Sequence, residues 1–256
     1  PPELLEVDSV LYPSGIEITD TGEPSNLCAT CHSGREAKAT VDAAIDAGAY
    51  SFLNVHYKPA AAVQRGFEAQ VGYEYDGLTY AGRFVHPEAT GCGYCHNAAA
   101  TEHTFDPGHD LTGCGDCHVG ATTVDELRLA FDNTDWDGDG AADEPLADEI
   151  GTVADALLAE IRLAAVSGGG EAICYDPLAY PYFFTDTDDS GDCDPGETVY
   201  PNLYVDWTPA LMKATFNYQL SQKDAGAWAH NFDYMLQLLI DSVDDLGGDT
   251  AAYTRP

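Results

Sequence analysis

Three short stretches carry cysteine and histidine at a spacing that does chemistry: Cys28, Cys31 and His32; Cys92, Cys95 and His96; Cys114, Cys117 and His118. In each, two thiols stand one helical turn apart and an imidazole follows at once. That spacing lets the thiols form thioethers with the two vinyl groups of a porphyrin while the imidazole comes under the iron as proximal ligand, the attachment pattern of c-type haem. A four-cysteine zinc ribbon built from Cys92, Cys95, Cys114 and Cys117 is the competing reading. Zinc leaves the following histidines unexplained and gives Cys28 and Cys31 no partner pair, so three covalently bound haems are expected.

Each iron then needs a second axial ligand. The chain has eight histidines, and the five that are not proximal are His56, His86, His103, His109 and His230. Methionine is the other option, but Met212 and Met235 lie on helical stretches that read as core. Bis-histidine coordination is therefore expected, with His56, His86 and His103 as the distal choice and His230, at a helix start, as the rival. Two imidazoles favour ferric iron, which predicts low potentials. Six-coordinate irons also leave no open position for a substrate.

Two acidic loops have the oxygen-ligand pattern of calcium sites. The second is the fuller match: Asp186, Asp188 and Ser190 at positions one, three and five, Gly191 at six, Asp192 at seven, Asp194 at nine and Glu197 at twelve. The first holds Asn133, Asp135, Asp137 and Asp139. A start at Asn133 brings Glu144 to the twelfth position, whereas a start at Asp135 ends on Leu146. An acidic solvated turn is the alternative for both. One or two calcium ions with a structural role are expected. Cys174 and Cys193, left over from the haem motifs, either form a disulfide or stay as buried thiols; an oxidising compartment favours the disulfide, worth about 3 kcal/mol.

The elements that must position these groups are weakly marked in the first half. Val10, Tyr12, Ile16 and Ile18 alternate and read as short strands or an extended arm. The Ala-rich run 36–49 predicts a helix, and Tyr73 to Tyr80 around Asp76-Gly77 predicts a hairpin. Arg35 is either a haem-propionate partner or an ordinary surface arginine. A short helix is expected over 121–131. The second half is clearer: Leu146, Ile150, Val153, Leu157 and Ile161 mark an amphipathic helix with Pro145 at its first turn, ending at Gly168. Thr208 and Pro209 open a helix to about Gln222, and a final helix runs on to Gly247. The chain divides into a trihaem-binding region, 1–125, and a helical and calcium-loop region, 126–256, packed as one continuous domain. The fold class is mostly irregular and loop-rich, with scattered α-helices and a small β-hairpin. With 45% hydrophobic residues, many of them Ala and Tyr, the peptide core is expected to be modest, haems forming much of the interior.

Forty-four acids against ten bases give a net charge of −34 over 256 residues. Such a surface repels nucleic acid and anionic membranes and suits cationic partners, metal ions or a salty environment. No apolar run approaches a membrane span. The start at Pro1 reads as a processed end, and haem attachment implies export.

Together the three Cys-x-x-Cys-His motifs, Asn54-Val-His-Tyr, the tyrosine segment from Gly72 to Ala81, and the run from Trp207 through Ala229-His230-Asn231 to Leu246 resemble exported multihaem c-type cytochromes, of the kind that stack into extracellular conducting filaments or relay electrons to minerals and partner cells. The resemblance implies closely spaced bis-histidine haems, redox partner proteins or extracellular acceptors, and a homo-oligomer or filament with a distal ligand donated between subunits. An electron carrier, not an enzyme, is the expected function. A small multihaem reductase with one open iron and a calcium-stabilised subunit docked to a membrane complex are the rivals.

Overall fold

In the last third of the chain, Trp228, Phe232, Met235, Leu236, Leu239 and Val243 recur every three or four residues and are all buried. They belong to helix α7, Ala227–Asp245, which is buried on all sides from Tyr234 to Val243 and so runs through the core. Each such leucine taken out of water contributes about 2 kcal/mol. The computed structural model describes residues 7–19, 25–56, 58–89, 91–97, 105–107, 111, 114–124, 126–127 and 134–256. Within these the chain forms strands β1 (Val10–Leu11) and β2 (Glu17–Ile18), helices α1 (Asn26–His32), α2 (Lys38–Asp46), α3 (Ala60–Arg65), α4 (Cys92–Cys95) and α5 (Leu146–Ser167), strands β3 (Ile173–Tyr175) and β4 (Phe183–Thr185), then α6 (Pro209–Lys223) and α7. Helices α3, α5 and α6 all pack on α7.

The long helices begin and end where their local chemistry places them. Pro145 precedes α5, whose Leu146, Ile150, Val153, Leu157 and Ile161 are buried, and the helix stops at Gly168. The Thr208 side chain accepts the Leu211 N–H at 3.2 Å and Pro209 fills the first position of α6, satisfying an otherwise orphan donor. Met212 and Met235 are core residues. The arm residues Val10 and Ile18 pair across the antiparallel β1–β2 hairpin, and α2 occupies the Ala-rich run.

The hairpin expected over Tyr73 to Tyr80 is not formed: the segment turns at Asp76-Gly77 but carries no strand. Side chains take the place of the cross-strand ladder. Tyr73 N–H donates to Asn217 Oδ1 at 2.7 Å, and Asn217 Nδ2 donates back to Tyr73 O at 2.9 Å. Gly72 N–H goes to the Tyr234 hydroxyl, Tyr75 N–H to the Tyr80 hydroxyl and Ala81 N–H to Gln237 Oε1. An alternation of aromatic and polar residues specifies a pleated surface only when a second strand is at hand; here α6 and α7 supply the partners. The second hairpin instead joins β3 and β4, where Cys174 lies opposite Phe184.

The peptide core is also larger than the composition led one to expect. Tyr204, Tyr234, Phe183, Phe184, Phe216 and Phe232 are fully buried among α5, α6, α7 and the β3–β4 hairpin, so the Tyr and Phe content is structural mass in the second half. Of the expected helix over 121–131, residues 121–124 show no helix, 126–127 lie in a 3-10 turn, and 125 and 128–131 lie outside the described residues. Among the described residues no helix is long and apolar enough to cross a membrane.

Candidate haem and cation sites

Each cysteine motif lies on a single helical turn. Cys28, Cys31 and His32 occupy α1, which the buried Asn26 ties to the N-terminal arm by donating to Val7 O at 2.8 Å. Gly91, at φ +87°, lets the chain enter α4, where Cys92 and Cys95 are followed by His96; the His96 N–H donates to Cys92 O at 2.9 Å. In the third motif the N–H groups of Cys117 and His118 both bond Cys114 O, at 3.1 and 2.9 Å. Four of the six thiols are exposed and two half-buried, open to a porphyrin.

The motifs adjoin one another. Cys92 N–H donates to Ser25 Oγ, just before α1, at 2.9 Å. Although Cys28 and Cys95 are exposed as residues, the chain packed around the Cys28 thiol partly desolvates it and pushes it up, and the Cys92 thiol beside it adds to the shift. Cys95 is likewise raised by burial, then by Cys114 and Cys92. Yet Cys92, Cys95, Cys114 and Cys117 do not gather into a cluster of metal-ligating atoms, as a tetrahedral zinc site would require.

Two of the proximal rings are held from behind. His32 Nδ1 donates to Lys58 O and His96 Nδ1 to Phe105 O, both at 2.7 Å. A carbonyl that takes the Nδ1 proton fixes the tautomer and leaves the Nε2 lone pair for a metal. Two proximal rings also face a second imidazole. His96 and His230 have ring centroids 6.2 Å apart and planes 37° from parallel; His118 and His86 are 6.1 Å apart at 34°. An imidazole nitrogen sits about 2 Å from a transition metal and about 1 Å from its own ring centre, so two rings on opposite faces of one iron lie about 6 Å apart. The residues present fit the group.

His230 is the best supported of the distal candidates. It stands in the first turn of α7, just before a kink at Asn231, whose Nδ2 donates to Gly82 O at 2.8 Å and whose Oδ1 accepts the Tyr234 N–H. Its Nδ1 donates to both oxygens of Asp224, a carboxylate only 4% exposed, the outer-shell partner that orients metal-binding histidines. Burial lowers the pKa of His230, but the Asp224 charge and hydrogen bond outweigh it and leave the group raised. Gly226 lies flat against the ring: a Cβ there would stand 2.8 Å from His230 Cε1. In sequence, Asp224 and Gly226 show only as the interruption between the helix ending near Gln222 and the final helix, not as partners of His230.

His86 is held differently: its Nδ1 accepts the N–H groups of Glu88 and Ala89 at 3.2 and 3.0 Å, which in the neutral ring puts the proton on Nε2, so these bonds would have to give way before Nε2 could serve a metal. His56, at φ +77°, has its N–H bonded to Asn54 Oδ1 and sits two residues from the carbonyl that holds His32. Among the described residues no second imidazole faces His32. His103 and His109 lie outside the described residues.

Both acidic loops bring carboxylates together. In the second, Asp186, Asp188 and Glu197 have ligand atoms within 4.8 Å of one another. Asp186 accepts the Ser190 and Gly191 N–H groups, and Glu197 accepts from Thr187 and Asp194; these donors hold the Glu197 carboxyl below its ordinary range. A disulfide joins Cys174 of β3 to Cys193 inside this loop. In the first loop, Asn133 lies outside the described residues, and the geometry starts at Asp135, which accepts the N–H groups of Gly138 and Gly140. Asp135, Asp137 and Glu149 form one close group and Asp137, Asp139 and Glu144 another. The sequence reading missed Glu149. Burial, the largest cause, pushes it to about 7, against the opposing Asp137 and Trp136 N–H bonds. Its signal was an acid on the stripe Leu146, Ile150, Val153, where an apolar residue belongs.

Comparison with known proteins places the chain among cytochromes. The C-type polyheme cytochrome OmcB of Geobacter sulfurreducens is 31% identical over 243 residues, 86% of this chain and 30% of its own length. The C-type polyheme cytochrome OmcC of the same organism is 31% identical over 269 residues, 91% of this chain and 33% of its own. The chain thus spans about a third of the curated relatives it matches. No family model and no solved structure matches.

Proposed function

We propose that this chain, which belongs to the multihaem c-type cytochromes, carries single electrons outside the cytoplasm through three closely spaced haems. Cys28 and Cys31, Cys92 and Cys95, and Cys114 and Cys117 attach them, with His32, His96 and His118 as proximal ligands. The observation that carries this reading is the pair of opposed imidazoles, His96 with His230 and His118 with His86, each at the separation two ligands of one iron adopt. His56 and His103 remain for the haem of His32. The same reading gives one calcium ion to Asp186, Asp188, Ser190, Asp192, Asp194 and Glu197, in the loop that the disulfide also closes.

Haem, when bound, supplies the one-electron couple. The chain's own residues attach it, orient it and set its potential. Asp224 makes His230 a more basic ligand by taking its Nδ1 proton in hydrogen bond, which stabilises the ferric state. Lys58 O and Phe105 O do the same, more weakly, for His32 and His96. Where a second imidazole stands by the proximal one, as His230 does by His96 and His86 by His118, a bound haem would offer no place for a substrate, which favours a carrier over the reductase reading. Export is supported by the haem attachment motifs and by the disulfide. A homopolymeric filament rests on resemblance alone, and electron microscopy of concentrated holoprotein tests it.

Intact mass and coulometric titration of the purified holoprotein test the reading. Three haem masses, three electrons per chain and no spectral response of the reduced protein to carbon monoxide are expected. Fewer haems, or carbon monoxide binding at one of them, would overturn it.

A further inference from the structure

The first acidic loop is built around buried oxygens that nothing in the described protein satisfies. Asp137 is 3% exposed, and its Oδ2 has no hydrogen-bond partner; neither has the buried Oε1 of Glu144. A buried carboxylate oxygen left bare costs far more than a paired one. No lysine or arginine occurs between Arg128 and Arg162, and among the described residues none of the loop's carboxylates has a cationic partner at salt-bridge distance.

We propose that Asp135, Asp137, Asp139, Glu144 and Glu149 together bind one calcium ion, which ties the start of α5 to the loop and braces the beginning of α7. Asp137 is common to both close groups, and within each group the ligand atoms lie within 4.8 Å of one another; oxygens around one calcium, at about 2.4 Å each, are at most about 5 Å apart, so Asp137 is the ligand through which the two groups would share one ion. Five carboxylates with no histidine or cysteine select a hard cation, and crowding of this many oxygens suits calcium better than octahedral magnesium. Glu149 comes from the first turn of α5, so the ion ties that helix to Asp135, Asp137 and Asp139, 10 to 14 residues before it in sequence. Trp136 passes the constraint on. Its ring meets Phe232, two residues beyond His230, with centroids 5.5 Å apart, and its carbonyl accepts the Thr254 N–H at 2.8 Å. Gly138 leaves no room for a side chain, because a Cβ would stand 2.4 Å from Ala252 O. The tail beyond is fixed to α7 by the bonds of Arg255 to Asp241. This site is separate from the second loop and does not depend on it.

Calorimetric titration of calcium into chelator-treated holoprotein tests the proposal with three chains: wild type, Asp137→Asn/Glu149→Gln, and Asp186→Asn/Glu197→Gln. The first double variant, with Soret and far-ultraviolet spectra unchanged, is expected to bind one ion fewer per chain than wild type. Hydrogen exchange on the wild type gives an independent reading: calcium slows exchange over 135–140, 250–254 and the first turn of α7. Equal stoichiometry in wild type and the first double variant, or protection confined to 173–197, would overturn it. The second double variant reports on its own loop alone.

Discussion

Asp224 and His230 are joined across the break between α6 and α7 by hydrogen bonds of 2.8 and 2.9 Å from Nδ1 to the two carboxylate oxygens. Asp224 N–H is itself anchored to Leu220 O, the last turn of α6, so the imidazole is aimed by two helices at once. The His96 ring lies 6.2 Å away, centroid to centroid.

That bond sets a potential. Asp224→Asn keeps an oxygen acceptor for Nδ1–H but removes the charge that makes the imidazole basic. One of the three redox waves in a spectroelectrochemical titration is expected to move upward, with the other two unchanged. A titration identical to wild type would show that Asp224 does not act on a haem ligand.

Gly226 sets a distance. Gly226→Ala places a methyl 2.8 Å from His230 Cε1, closer than real Cβ contacts come, so the ring must move. A partial high-spin ferric signal is expected from this variant. Gly82→Ala, where a Cβ meets nothing within 4 Å, is the control and is expected to keep the wild-type spectrum.

Asn217 holds the tyrosine segment in place of a strand. In Asn217→Ala the Tyr73 N–H and C=O lose their buried partners, and the holoprotein is expected to lose about 3 kcal/mol, read from the urea midpoint. A loss below about 0.5 kcal/mol would mean that water replaces the amide at no cost.

Glu74 makes stability depend on pH. Burial, the largest cause, raises its pKa from the ordinary 4.5; the Tyr234 hydroxyl, which donates to it at 2.8 Å, and Lys38 oppose the shift. The native state therefore holds this proton where the unfolded chain has lost it, and stability falls as pH rises from 4.5 to the raised native value. Below that window both states are protonated and the contribution is constant. Glu74→Gln removes the titrating group and keeps an acceptor for Tyr234. Its stability relative to wild type is expected to be greater at about pH 8 than at about pH 4; an unchanged difference would contradict the assignment.

What was legible in the sequence was local. A Cys-x-x-Cys-His motif needs only its own five residues to be recognised, and the helix ends at Pro145, Thr208 and Gly168 act within one turn of themselves, so the helix ends were read correctly. Pairing is not local. His230 stands 134 residues after His96 and its role depends on how α7 packs; nothing in its flanking residues distinguishes it from His86 or His56. The tyrosine segment was misread for the same reason, since its backbone partners, Asn217, Tyr234 and Gln237, lie on helices more than 140 residues away. Glu149 was hidden inside a helical stripe whose periodicity explained every neighbour but not the acid itself.

Low-temperature electron paramagnetic resonance of oxidised wild type and His230→Ala, with haem quantified in both, tests the opposed-imidazole account most directly. All three haems are predicted to be low-spin in wild type, and one haem equivalent is predicted to become high-spin in the variant. A stoichiometric high-spin signal in wild type, or a variant spectrum indistinguishable from it, would contradict the pairing of His96 with His230.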